Sequence, residues 1–539
     1  MGDERPVGPL ERGLRVMEVI GGASSPPRPA DLVPATGLVR STVDRVLSTL
    51  EATGYLRSRG REVAATPRMM EAGNAYLSAL DPDRFLARRA AALADELDES
   101  VSLAVPDGDG VRFVGQSPRR RSLSVAFRIG DLLPAERCAP GPLFAAEWGD
   151  ELWRAWEARV TGGPRGRRFS VSPFAEPSVI EGFRGRVADF RASGRSLDEE
   201  FLEPGLIAVA VPVRAATGGA LLALSVVSHT SRHTAESLYE QVREPVAACV
   251  AEMEEHLARP PRAEEPLPPG TEANAELKER LGAHFLQSLD RGLAVLHALG
   301  ARPGGLTISE AAAATGQPRA TARRALLSLA ELGYVREDGR HFRLLPRVLD
   351  LGYRRVSEMT FEQLARPHLR DLVVKVHDSA SVAVLDGTDI RYVARAQASR
   401  LMRADIHIGT RFPAYATAMG RVLLAGLPEP EAAGLIARSE RRAFTPFTLT
   451  GADELGEAVA AARRDGYALV DQELETGLRS LSVPVHAEGR AVAALNLAVP
   501  ATAEPVGEMC ERLLPHLAAA ARAIDADLAA LTRHQPLTL

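Results

Sequence analysis

The chain has 539 residues, 45% of them hydrophobic and 25% charged, and a net charge of −5. This is the composition of an ordinary globular protein of three or four domains, and it excludes a chain-wide basic surface, so any nucleic-acid contact must be local. Three scattered cysteines (Cys138, Cys249, Cys510) exclude a disulfide framework and a zinc site; with no basic, apolar leader at Met1–Glu4 and no run of 18 apolar residues, a soluble cytoplasmic protein with no membrane partner is expected.

From the N-terminus, Leu10, Leu14, Met17 and Ile20 recur at helical spacing. Thr36-Gly37 then makes a turn before a second amphipathic stretch that carries Arg40, Ser41, Thr42 and Arg45 at its start. Gly54-Tyr55 leads into a short hairpin with Arg59 and Arg61. Helix, helix, turn, helix, wing is the order of a winged helix-turn-helix, assigned to residues 10–80. Short polar and basic side chains at the start of the reading helix suit a major groove, and wing arginines suit phosphate.

Residues 81–258 mix strands with helices. A hairpin is predicted from Ser102–Val105 through Asp107-Gly108 to Val111–Val114. Residues 259–283 are rich in proline and charge at their start and are assigned as a linker.

Beyond it the chain repeats itself. Leu289-Asp290-Arg291-Gly292-Leu293 answers Leu10-Glu11-Arg12-Gly13-Leu14, and Thr315-Gly316, Gly333-Tyr334 and Pro346-Arg347 return at the same separation, 279 positions. In the second winged helix-turn-helix, residues 284–360, Thr307-Ile308-Ser309-Glu310 is a capping box and Pro318 restarts the chain into a reading helix ending near Leu332. That helix bears Arg319, Thr321, Arg323 and Arg324, and its wing bears Arg340 and Arg343. Residues 361–533 repeat the mixed domain, with a hairpin over Ser381–Leu385 and Ile390–Ala394, strands at Leu481–Val485 and Ala493–Leu497, and a closing helix over Val506–Leu531. The fold class is α+β, in two tandem copies. One chain would then carry the two reading heads that DNA-binding modules usually bring as two subunits, an internal pseudo-dimer, with a homodimer as the alternative.

The second half resembles the IclR family of bacterial transcription regulators, in the branch that controls protocatechuate, 4-hydroxybenzoate and β-ketoadipate catabolism. The residues carrying the resemblance are Gln287–Leu293, Ala330–Val335, Pro413–Ala425, Gly466–Glu473 and Gly477–Val485. The resemblance implies that each mixed domain is a GAF-like α/β effector-binding domain, and that the partners are double-stranded operator DNA and a small organic acid, aromatic or dicarboxylic, with dimers or tetramers on DNA; no cofactor, metal or catalysis is expected. It also implies a pocket floored by Ala416, Thr417, Ala418, Met419 and Gly420, a helix start whose N–H groups suit a carboxylate, with Asp471, Ser480 and Asn496 facing the ligand. Arg395 and Arg403 are weaker candidates for neutralising the acid; solvated surface is the commoner role for such arginines.

The first copy departs from this pattern. Thr417 and Met419 become Cys138 and Pro140, Glu473 becomes Phe201, Arg479 becomes Ile207 and Ser480 becomes Ala208, while Trp148, Trp153 and Trp156 follow close behind. An altered or lost pocket is expected there. Two other classes compete with a DNA-binding regulator. An enzyme lacks support, since no nucleophile elbow, His-Glu-x-x-His or phosphate loop is present and His229 and His233 read as loop and cap residues. A sensing scaffold whose winged helices do not read DNA is the remaining alternative.

Overall fold

The computed structural model describes residues 8–119, 127–162, 169–171, 177–214, 219–259, 274–398, 406–501 and 504–535. The chain divides into two compact units, residues 1–357 and 358–539.

The first unit holds both reading heads and the first mixed domain. The first head comprises α1 (Pro9–Gly21), α2 (Pro29–Thr36), α3 (Arg40–Ala52) and a wing of β1 (Leu56–Arg59) and β2 (Glu62–Ala65). Gly37 ends α2 in the left-handed conformation at φ 68°, which glycine adopts without the Cβ clash, and so sets the turn before α3. Two helices, α4 (Glu71–Leu80) and α5 (Phe85–Leu97), lead into a six-stranded antiparallel sheet: β3 (Ser100–Asp107), β4 (Gly110–Ser117), β5 (Leu132–Pro134), then α6 (Pro140–Ala145), α7 (Asp150–Gly162) and α8 (Pro177–Ser193), then β6 (Ser196–Glu199), β7 (Leu206–Arg214) and β8 (Ala220–His229). Its strand order is β5-β4-β3-β8-β7-β6. The long α9 (Ala235–Ala258), opened by Thr234 as N-cap, packs with α5 on one face. On the other face lie α6 and α8, with Trp148, Trp153 and Trp156 each in ring contact with Phe183.

The stretch 259–283 corrects one expectation. Its last part is α10 (Ala275–Leu281), a run of charged helix formers whose preceding residue, Asn274, donates from its amide to Asp290. The proline-rich residues 260–273 lie outside the described residues. The second head follows as α11 (Gln287–Leu299), α12 (Ile308–Thr315), α13 (Arg319–Glu331), β9 (Val335–Asp338) and β10 (His341–Leu344), with α14 (Tyr353–Ser357) closing the unit. The capping box is formed: Thr307 accepts from the Glu310 amide and the Glu310 carboxylate from the Thr307 amide.

The two heads pack on each other within the chain, and the contact is reciprocal. Leu289 lies over Gly13 and Leu10 over Gly292; a Cβ at Gly13 would sit 2.3 Å from Leu289 Cδ1, and one at Gly292 2.4 Å from Leu10 Cδ1. Both leucines are buried, and burying each stabilises the seam by roughly 1.5–3 kcal/mol. Flanking polar contacts keep the same symmetry. Tyr55 meets His297 at 3.3 Å, Tyr334 donates to Glu18 at 2.7 Å, and Arg68 and Arg347 lie over the rings of Tyr55 and Tyr334. Gly292→Leu should therefore force the helices apart, costing about 1–3 kcal/mol of overpacking. Thermal unfolding should show this as a lower midpoint, partly recovered by adding Leu10→Ala; an unchanged midpoint would contradict the seam.

The second unit is the second mixed domain: α15 (Phe361–Val376), β11 (Ser379–Asp386), β12 (Asp389–Ala396), β13 (Arg411–Pro413), α16 (Ala418–Ala425), α17 (Glu429–Arg438), α18 (Ala452–Asp465), β14 (Ala468–Asp471), β15 (Leu478–Ala487), β16 (Arg490–Pro500) and α19 (Val506–Thr532). The sheet order is β13-β12-β11-β16-β15-β14. Because side chains alternate along each strand, one face gives Leu481, Val483, Leu495 and Leu497 to α15 and α19. The opposite face gives Ala383, Ile390, Tyr392, Val470 and Ala494 to a core shared with α16, α17 and α18.

Candidate DNA-reading and ligand-binding sites

The reading helices keep their apolar sides inward: Val43, Val46, Leu47 and Leu50 in α3, and Ala322, Ala325, Leu326 and Leu329 in α13. Their opposite sides differ in charge. In α3, Arg40 and Ser41 are exposed and Thr42 half-buried, but Arg40 is paired with Asp44 at 3.1 Å. Arg45, one of the expected DNA contacts, instead donates from Nε to the Ala283 carbonyl at 2.8 Å, holding the entry to the second head against α3. In α13, Arg319, Arg323 and Arg324 are all exposed, Thr321 is half-buried, and no ion pair engages the three arginines among the described residues. Arg324 also borders a cleft of about 480 Å³ lined by Gly8, Ser288 and Glu331. Position 44 of the first head is Arg323 in the second, so the second reading surface is the more positive.

In the wings, Arg61 and Arg340 stand at the exposed hairpin turns, with Arg59 half-buried beside Arg61. Arg343 is largely committed to its own head: Nε donates to the Gly304 carbonyl at 3.1 Å, with Asp338 3.5 Å away. Sequence reasoning missed Arg336, which is exposed and pairs in register with Arg343. The run of three charged residues, Arg336-Glu337-Asp338, after Val335 was the available signal.

In the second unit, Ala416, Thr417, Ala418, Met419 and Gly420 converge as a buried turn into α16. Gly420 is demanded by packing, since a Cβ there would lie 2.0 Å from the Ala414 carbonyl oxygen. The helix start is less open than expected: the Gly420 amide already donates to the Thr417 hydroxyl at 3.0 Å. Ser480 and Asn496 lie on the sheet face that meets α16, since Val470, opposite Ser480, and Ala494, two residues before Asn496, belong to that core. Asp471 does not join them. Its register neighbour is Arg479 on the other face, and Arg479 Nε holds its carboxylate at 2.8 Å.

The face instead carries a polar row crossing four strands. Arg395 of β12 is opposite Ser381 of β11, Ser381 opposite Asn496 of β16, and Asn496 opposite Ser482 of β15. The Ser482 hydroxyl donates to the Asn496 amide oxygen at 2.7 Å, both buried. Arg395 is half-buried, and its guanidinium donates to the Ile406 carbonyl. Arg403 lies outside the described residues. Arg421 and Glu473 form a buried two-bonded ion pair, at 2.7 and 2.5 Å, that ties α16 to the loop after β14.

The corresponding face of the first unit is built differently. Cys138 takes the place of the Thr417 cap, and its thiol is held up well above its usual range by burial. Asp198, where the second copy has Val470, is 1% exposed, and burial pushes its carboxyl up to about 7. The ion pair Arg421–Glu473 is absent by sequence, Pro142 and Phe201 standing there. In its stead Arg159 binds Glu136 at 2.7 Å and Asp109 at 2.5 Å, and the Trp156 indole N–H donates to Glu136. His229 ends β8, accepting from the Ser231 amide, and His233 precedes the α9 cap. Among the described residues no group of three or more His, Cys, Asp or Glu could hold a metal ion.

Paired winged heads with a more basic second reading helix, joined to mixed domains that enclose polar rows, define a class: DNA-binding regulators with attached ligand-sensing domains. The comparisons place the chain within it. The model of the bacterial transcriptional regulator IclR C-terminal domain matches residues 74–254 and 353–526, and that of the IclR helix-turn-helix domain matches 9–60 and 288–339. The chain belongs to the IclR family of transcriptional regulators, with both family domains present twice; it is a DNA-binding transcription regulator rather than an enzyme.

Among its relatives, the Pca regulon regulatory protein of Pseudomonas putida is 41% identical over 240 residues, covering 44% of this chain and 82% of the relative. The p-hydroxybenzoate hydroxylase transcriptional activator of Acinetobacter baylyi is 34% identical over 218 residues, covering 39% of this chain and 80% of its own. A solved structure of a transcriptional regulator of Rhodococcus sp. RHA1 is 48% identical over 46% of this chain and 99% of its own, with a TM-score of 0.44. Each thus aligns with less than half of the chain. No described helix is long and apolar enough to cross a membrane.

Proposed function

We propose that this regulator reads operator DNA with two unequal heads of one chain, and that a small organic acid bound in the second mixed domain tunes its affinity. The division that goes with this is 10–80 and 284–360 for the heads, 81–258 and 361–533 for the sensor domains, working in the cytoplasm. Arg319, Thr321, Arg323, Arg324 and Arg340 form the main reading surface, with Arg40, Ser41, Thr42, Arg59 and Arg61 as the weaker one.

The observation that carries the ligand reading is the polar row on the α16 face. Arg395 supplies a cation, Ser381 and Asn496 supply hydrogen-bonding groups beside it, and Ala416–Gly420 with Ser480 border an apolar floor. A partly dehydrated guanidinium aligned with hydroxyl and amide groups suits a carboxylate on a small ring. The names of two relatives, regulators of the Pca regulon and of p-hydroxybenzoate hydroxylase, support an aromatic acid. By linkage, the acid changes DNA affinity only as far as it prefers one arrangement of the heads, typically about 1–3 kcal/mol. Calorimetry of the full chain with 4-hydroxybenzoate and protocatechuate tests this. At least one acid should bind, and Arg395→Gln should weaken it about tenfold or more, the size of a lost charge-assisted hydrogen bond. Binding untouched by Arg395→Gln and Asn496→Ala would place the site elsewhere.

A further inference from the structure

The first mixed domain contains the same row with its chemistry changed. Gln116 of β4 is opposite Ser102 of β3, Ser102 opposite Ser225 of β8, and Ser225 opposite Ala210 of β7. These are the positions of Arg395, Ser381, Asn496 and Ser482, on the face whose core includes Ala104, Ala208, Ala210 and Ala223. In the second copy Asn496 is satisfied by Ser482; here Ala210 leaves Ser225 without that partner. The result is a cluster of unmet donors and acceptors. Ser102 (0% exposed) and Ser225 (2% exposed) each have a buried hydroxyl with no hydrogen-bond partner among the described residues, and so do both amide atoms of Gln116. Four orphaned polar atoms side by side on one sheet face are costly and unusual in a folded protein, unless something they bind is missing from view.

We propose that this row is a second ligand site, for a small uncharged molecule with an apolar ring and an amide or similar donor–acceptor group. The loss of the cation argues against an acid. Gln116 replaces Arg395, and the carboxyl group on the same face, Asp198, lies opposite Ala208 of β7. The arginines around Asp198 are committed to backbone carbonyls, Arg137 to Leu202 and Arg186 to Glu136 and Val179. A primary amide matches the cluster group for group: its carbonyl accepts from Ser102 or Ser225, while its N–H donates to Gln116 Oε1. Phe113, stacked on Phe127 at 4.2 Å, offers the ring a flat neighbour on the same face. This goes beyond the acid reading of the second half and does not depend on it.

The test is calorimetry of the full chain with benzamide and 4-hydroxybenzamide, set against benzoate and 4-hydroxybenzoate. At least one amide should bind one site per chain. Gln116→Leu and Ser225→Ala should each weaken it at least tenfold, and Arg395→Gln should leave it unchanged. Both variants remove orphaned polar atoms, so their melting temperatures should hold or rise, separating lost binding from lost folding. If neither amide binds, if binding survives both substitutions, or if it follows Arg395→Gln instead, the proposal is overturned and the row holds only water. Failure of the carboxylates to bind would count against the second-half reading alone.

Discussion

Replacing Arg319 and Arg323 together by alanine should lower affinity for operator DNA about 10–100-fold, whereas Arg40→Ala should change it only a few-fold. Each well-placed arginine on a base edge is worth about 1–3 kcal/mol, and a phosphate contact adds a salt-dependent share. In α13 these two guanidinium groups lie one turn apart on the exposed side with no carboxylate engaging them among the described residues. In α3 the equivalent turn holds Arg40 and Asp44 at 3.1 Å, so the pair presents little net charge to the backbone of DNA. Because that ion pair is exposed and worth at most about 1 kcal/mol, Asp44→Ala should cost little stability while strengthening DNA binding. Anisotropy titrations at several salt concentrations check all three variants; the double substitution should also flatten the salt dependence. Equal losses from both helices would mean that the heads read DNA equivalently.

Arg112→Ala should destabilise the first unit by up to about 3–5 kcal/mol, the range for removing one partner from a buried charge cluster. Arg112 is 1% exposed and binds three groups from three places: Asp107 at the end of its own hairpin at 2.7 Å, the Gly130 carbonyl at 2.9 Å, and Asp350 at 2.6 Å. Asp350 belongs to the short helix at Pro346–Leu351 that leaves the second wing. A residue of the first mixed domain therefore grips the exit of the second head, helped by Arg354 on Asp131 at 3.4 Å. About a third of the Asp350 side chain is exposed, so water softens its loss and Asp107 bears most of the cost. Asp350→Asn should be milder than Arg112→Ala, and a double-mutant cycle on thermal unfolding should show clear coupling between them. Additive effects would make the contact incidental.

Much of the local structure was legible in the sequence because local rules decide it. The capping box at Thr307–Glu310, the Thr-Gly helix ends and the Asp107-Gly108 and Asp386-Gly387 hairpins each depend on a few neighbouring residues, and the 279-residue echo carried one copy's reading to the other. What escaped depends on contacts between distant residues. Nothing around Arg45 announces that the Ala283 carbonyl, 238 residues away in sequence, will take its donor. Asp471 and Ser480 look like equal pocket candidates until register puts them on opposite faces. Arg395 reads as solvated surface because a bulge between Val382 and Ala383 shifts the alternation that aligns it with Ser381. The reciprocal Gly–Leu seam was visible as a repeated motif, but whether it closes within one chain or between two was not.

That last point is the centre of the account, and the stoichiometry of the DNA complex tests it most directly. Duplexes selected from a random pool by the full chain would be examined by native mass spectrometry, with footprinting on the same fragments. One chain per duplex, protecting two unequal half-sites about one helical turn (10–10.5 base pairs) or a multiple of it apart, is the predicted result. Two chains pairing their heads across a single pair of half-sites would contradict it.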